Sequence, residues 1–100
     1  MDFKFSKQDF KMPFRNPQLC AFAQVLRRYG FKKIFASTLE AFATIDNKSV
    51  LLIVNAVYFN VTRIDNGIFG FGPVGFKAML KAYEQDENTS AFISVTRSYR

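Results

Sequence analysis

Val50 to Val61 reads VLLIVNAVYFNV, and the layout of this apolar run decides the fold. Leu51, Ile53, Val57, Phe59 and Val61 fall on one alternating face, and Val50, Leu52, Val54, Ala56 and Tyr58 on the other. Apolar side chains on both faces are the pattern of a strand covered on both sides. At about 3.3 Å per residue, the stretch through Ile64 would extend roughly 50 Å as a single strand, far beyond the usual length. A bend or break is therefore expected near Asn55 or Asn60. The run is also too short for a membrane span, which needs roughly 18–20 apolar residues, and the two asparagines interrupt it.

Upstream, Asp46-Asn47-Lys48-Ser49 suits a hairpin turn. Phe35, Leu39, Ala41, Ala43 and Ile45 alternate with Thr38, Glu40, Thr44 and Asp46, as in a half-buried strand over residues 31–46. A short helix at 38–45 is the alternative, because Ser37 and Glu40 have the spacing of a capping box. Asn16-Pro17 is a helix start signal, and Leu19, Phe22, Ala23, Leu26 and Tyr29 recur at helical spacing before Gly30, so a helix is expected over 16–30. Cys20 lies beside that stripe and reads as packing. Residues 1–15 read as a first strand followed by a basic arm. Downstream, Asp65-Asn66-Gly67 turns the chain, and Gly70, Gly72 and Gly75 lead into a helix over 73–86 that buries Phe76, Met79, Leu80 and Tyr83. A last strand covers 91–98.

The expected fold class is α+β. It is a small two-layer sandwich in β-α-β-β-α-β order, similar to the ferredoxin-like split β-α-β arrangement, with a mainly antiparallel sheet and two helices on one face. Two helices cover one face of such a sheet. The second face would then meet the N-terminal arm, a partner, or a second copy in a homodimer.

One hundred residues at 49% hydrophobic content fit a single domain over 1–100. The chain has no histidine and one cysteine. That excludes a histidine triad, a Cys-His nucleophile pair and zinc sites built from histidine or several cysteines. A charged N-terminus without an apolar core is no secretory signal, so an intracellular, cytoplasmic setting is expected. Glu84, Asp86 and Glu87 read as a solvated loop, and Asp46-x-Lys48 as a turn with only Glu40 as a nearby upstream acid. No catalytic set, cofactor or metal site is expected.

The net charge of +6 is unevenly spread. Residues 1–33 hold Lys4, Lys7, Lys11, Arg15, Arg27, Arg28, Lys32 and Lys33 against Asp2 and Asp9, while the rest of the chain is balanced. The whole excess therefore belongs to the N-terminal third. Such asymmetry predicts an acidic partner, either an acidic protein surface or nucleic acid. A phenylalanine-rich chain with this footprint also has the ingredients of single-strand binding by stacking and phosphate contact. Gly70-Phe-Gly-Pro-Val-Gly-Phe76 resembles the aromatic octapeptide of RNA-recognition motifs, with Phe69 where a basic residue belongs and Pro73 unable to donate in a central ladder.

The second function class rests on Gly70, Gly72 and Gly75. A glycine loop ahead of a helix can offer backbone N–H groups to a phosphate. Its placement is similar to the pyrophosphate loop of the GNAT acetyltransferase superfamily, which implies acyl-CoA or nucleotide binding over Gly67–Gly75. Gly67 stands where that family has Gln or Arg, and Pro73 removes an N–H at the turn. The leading expectation is a small basic non-enzymatic binding protein acting as a regulator, inhibitor or adaptor.

Overall fold

The computed structural model describes residues 1–11, 16–37, 39–64 and 73–99, the backbone alone for 73–76 and 99. Strand β1 (Asp2–Lys4) leads into a 3₁₀ turn (Lys7–Lys11), helix α1 (Ala21–Arg28) and strands β2 (Lys32–Ala36), β3 (Glu40–Ile45), β4 (Lys48–Phe59) and β5 (Thr62–Ile64). Helix α2 (Pro73–Gln85) and strand β6 (Ala91–Tyr99) follow. The chain is an α+β protein with one six-stranded antiparallel sheet in the order β1-β6-β4-β3-β2, β5 pairing separately with β4. This is two strands more than the β-α-β-β-α-β order expected from the sequence, and β1 sits at an edge beside β6 alone.

Both extra strands arise where the chain turns early. Ser37 closes the β2–β3 hairpin: its backbone N–H and hydroxyl donate to the Glu40 carbonyl at 2.8 and 3.1 Å, and its hydroxyl accepts from Glu40 N–H at 3.3 Å. The Ser37/Glu40 spacing thus bonds locally, as a capping box would, but within a hairpin. The expected strand over 31–46 becomes two strands, and residues 40–45 of the alternative helix are strand. Farther on, Asn60 and Val61, with φ of 50° and 61°, turn β4 into β5 with Phe59 opposite Thr62. Asp46 and Asn47, at 51° and 62°, make the same kind of turn between Ile45 and Lys48.

The reading of Val50–Val61 changes most. Val54 stands opposite Val95 and Ala56 opposite Ser94, so Asn55 is the extra residue of a β-bulge. Before the bulge the even-numbered residues face the helices, and after it the odd-numbered ones do. Val50, Leu52, Val54, Val57 and Phe59 therefore share the inner face with Ala91, Ile93 and Val95. Leu51, Ile53 and Tyr58 share the outer face, as does Ala56, which is buried outside the main core cluster. Much of the apparent two-sided apolar pattern is a single face read through a change of register.

Helix α1 begins later than Asn16-Pro17 suggested. Asn16 instead closes a turn, its carbonyl accepting from Leu19 and Cys20 N–H at 3.1 and 2.8 Å and its Oδ1 from Gln18 N–H at 2.9 Å. Gly30, at φ 96°, supplies the left-handed residue that ends the helix. Phe22, Val25 and Leu26 of α1, Phe5, Phe10 of the 3₁₀ turn and Met79 of α2 join Ile93, Val95, Leu52 and Val57 in one core cluster. Both helices therefore cover the inner face.

Candidate partner-binding surface

The structure divides the cations of the N-terminal third into groups with different roles. Arg28 at the end of α1 is a structural clamp. Its Nε and one terminal nitrogen grip the Asp9 carboxylate at 3.0 and 2.6 Å, and that terminal nitrogen also donates to the Lys4 carbonyl at 2.8 Å. Asp9 is 2% exposed and accepts a further bond from Ser6 N–H at 2.8 Å. A buried carboxylate needs this degree of pairing, because an uncompensated buried charge is costly. The hydrogen bond to Asp9 raises the Arg28 pKa above its ordinary value, against the opposing effect of burial. A reading of residues 1–15 as a strand and arm misses Asp9 as a buried group. The available signal is Ser6 three residues ahead of Asp9, whose backbone carbonyl accepts Asp9 N–H at 3.0 Å.

Tyr83 of α2 completes this region. Its hydroxyl donates to the Phe5 carbonyl at 3.1 Å and accepts from Ala91 N–H at 3.0 Å. Burial pushes its pKa above the usual phenol value. Its ring packs against Phe10, with centroids 5.8 Å apart.

Arg27 turns to the other side of α1. It donates to the Gln18 carbonyl at 2.9 Å, and with Lys33 it borders an open depression of about 470 Å³ whose other lining residues are Gln18, Leu19, Ile34 and Phe35. Lys33 sits at a register shift in β2 with φ 52°. Lys32 lines a second depression, of about 290 Å³, with Gly30 and the β3–β4 turn. Lys4, Lys7 and Lys11 are exposed on β1 and the 3₁₀ turn. Arg15 lies outside the described residues. Among the described cations, Arg27 and Lys33 are brought together at one depression, and Arg28 is engaged internally.

Of the alternative ligand loop, Gly70 and Gly72 lie outside the described residues, and Gly75 is the third residue of α2. The acyl-CoA reading therefore rests on sequence alone. Among the described residues there is no group of three or more His, Cys, Asp or Glu placed to hold a metal ion. No described helix is long and apolar enough to cross a membrane.

The surface also has apolar members that charge alone does not single out. Phe35, Leu39 and Ile53 are 57%, 50% and 42% exposed. Phe35 stands opposite Phe42, and Phe42 opposite Leu51, so a row of large side chains crosses three strands of the outer face. Phe35 belongs both to this row and to the depression bordered by Arg27 and Lys33. For Leu51 and Ile53 the signal lies in the alternation of β4, blurred by the bulge at Asn55. Phe35 does not share the buried face of Ala41 and Ala43 expected from a single strand, because the hairpin at Ser37 sets it opposite Phe42 instead. Comparison with protein-family models, curated proteins and solved structures found no match.

Proposed function

We propose that this chain is a small non-enzymatic binding protein, a regulator, inhibitor or adaptor, whose basic N-terminal third meets an acidic protein surface. The observation that carries the reading is the depression at the β2 edge. There Arg27 and Lys33 stand beside Leu19, Ile34 and exposed Phe35. Cations around an apolar floor match the anatomy of a protein interface, with an aromatic anchor and a polar rim. A phosphodiester backbone would use the cations and leave the aliphatic floor without a counterpart, which favours protein over nucleic acid. Self-association through the open sheet face belongs to the same proposal.

Affinity capture with the wild-type chain and with the double variant Arg27→Glu/Lys33→Glu tests the reading, alongside binding of a labelled single strand at low and physiological salt. The expected outcome is an acidic protein retained by the wild type and lost by the variant, with single-strand binding weak at physiological salt. Tight, steeply salt-dependent single-strand binding that the variant abolishes would shift the partner to nucleic acid. Capture unchanged by the variant would remove the depression from the interface.

A further inference from the structure

We propose that two copies of this chain pack face to face through the outer surface of the sheet, leaving their basic helical layers pointing outward as a bivalent binder. This rests on the self-association part of the reading above and commits it to a surface, a symmetry and a consequence.

Three observations select a second copy as the occupant. The first is the position of the apolar side chains. The row Phe35, Phe42, Leu51 is flanked by Ile53, and farther along the same face Tyr58 and Phe92 stack with ring centroids 4.7 Å apart. Among the described residues no helix covers this face, since both helices join the core on the opposite side.

The second is charge. The chain carries +6, yet the outward-pointing strand residues include Asp2 and Glu40 against Lys4, Lys32 and Arg63, following the register of their strands. Among the described residues, Lys7 and Lys11 lie on the 3₁₀ turn packed with the helices, and Arg27 with Lys33 at the β2 edge. Two copies can therefore approach through this face without bringing their main positive charge together. In an isologous pair each surface meets its own complement, so Glu40 of one copy can face Lys32 of the other.

The third is extent. The molecule measures 39 × 22 × 22 Å along its principal axes. One side of that outline is a rectangle of about 850 Å², so an interface near the roughly 800 Å² per partner of a standard stable complex would engage most of this face. Antiparallel sheets stack in this way, face on face. Edge pairing is the competing route, and the edges are blunted. β2 carries Lys32, Lys33 and a register shift, and its Ala36 N–H is taken by the Pro17 carbonyl at 2.8 Å; β1 is three residues long and its Lys4 N–H is taken by Tyr29 Oη at 3.1 Å.

The consequence is functional. Phe35 is taken up by the dimer interface, so a dimer displays Arg27 and Lys33 of both copies at the rim of that interface, and a partner with repeated acidic sites would be held by both pairs at once, raising avidity without any new contact.

Sedimentation equilibrium of the full chain, from micromolar to submillimolar concentration, tests the proposal. The wild type is expected at twice the 11.5 kDa chain mass. Ile53→Arg, at a position already 42% exposed and so compatible with the monomer fold, is expected to weaken dimerisation by at least about 10-fold, because it puts an unpaired charge into the interface. Lys7→Glu and Arg27→Glu/Lys33→Glu are expected to remain dimeric, which separates this test from that of the acidic partner. Circular dichroism checks that each variant keeps its fold. A wild-type chain that stays monomeric throughout, or an Ile53→Arg chain that dimerises like the wild type, overturns the proposal.

Discussion

Val61 is the residue most at odds with its backbone. It sits at the tip of the β4–β5 turn with φ 61° and 90% of its surface exposed. The left-handed region is costly for a β-branched side chain, and exposure leaves it no packing in compensation. Its counterpart turn places Asp46 and Asn47 at the same angles, residue types that tolerate them. Val61→Gly is therefore expected to stabilise the chain by about 1 kcal/mol, after allowing for the greater freedom of glycine when unfolded. Urea unfolding reads the shift, and a midpoint that stays put or falls would contradict it. Arg28 makes the opposite case. Exposed ion pairs contribute about 0–1 kcal/mol and breaking buried ones costs about 3–5 kcal/mol. The Arg28–Asp9 pair is 41% exposed on one side and 2% on the other. Arg28→Ala is accordingly expected to cost about 2 kcal/mol in the same assay, and Arg28→Lys most of that, because an ammonium cannot reproduce the two-pronged grip.

At the scale of the element, β4 is decided by a single inserted residue. Side chains alternate with a period of two, so one extra residue exchanges the faces of everything beyond it. The bulge at Asn55 lets Val50, Leu52 and Val54 share a face with Val57 and Phe59. Deleting Asn55 would force one half of the strand to present its outer face to the helices, and no cooperative unfolding transition is expected for that variant. Asn55→Ala keeps the residue count and loses only the side-chain bonds with Thr96, at 2.8 and 3.2 Å. Its cost is expected near 1 kcal/mol or less, given the exposure of these groups. A deletion variant with a wild-type melting transition would show that the register is set elsewhere. The asparagines were legible as interruptions of the apolar run. The expected bend or break near Asn55 or Asn60 is found at both, as a bulge and as a turn. The exchange of faces at the bulge was not legible, because its extra residue looks like any other outward-facing polar position until the neighbouring strand shows which residues stand opposite.

At the scale of the whole molecule, Tyr83 ties α2 to β6 and to the segment after β1. Burial raises its pKa above that of an unfolded phenol, so ionising it costs more in the folded chain. Its contribution to stability is thus full below about pH 10 and is lost as the pH rises from there through the folded pKa. Denaturant unfolding across alkaline pH should show a decline that Tyr83→Phe flattens. The same variant is expected to lose about 1–2 kcal/mol at neutral pH, since Ala91 N–H and the Phe5 carbonyl each lose a partner. An alkaline limb identical in both proteins would mean that Tyr83 is not among the groups responsible.

The sequence by itself determined the local features: the α+β composition, a helix rich in cations at its end, the turns at Asp46-Asn47 and after Phe59, and a positive excess confined to residues 1–33. Each follows from residue type and short-range spacing, which set backbone preference and charge before any long contact forms. Tertiary structure decided which strands lie side by side, that β1 takes an edge next to β6, that Arg28 is engaged with Asp9 while Arg27 joins Lys33, and which apolar side chains of β4 face outward. Those outcomes depend on pairing between residues distant in sequence, up to the 94 positions between Met1 and Val95, and on one bulge that reassigns both faces of the central strand. Periodicity within a segment carries neither the partner nor the register, and the candidate interface depends on both.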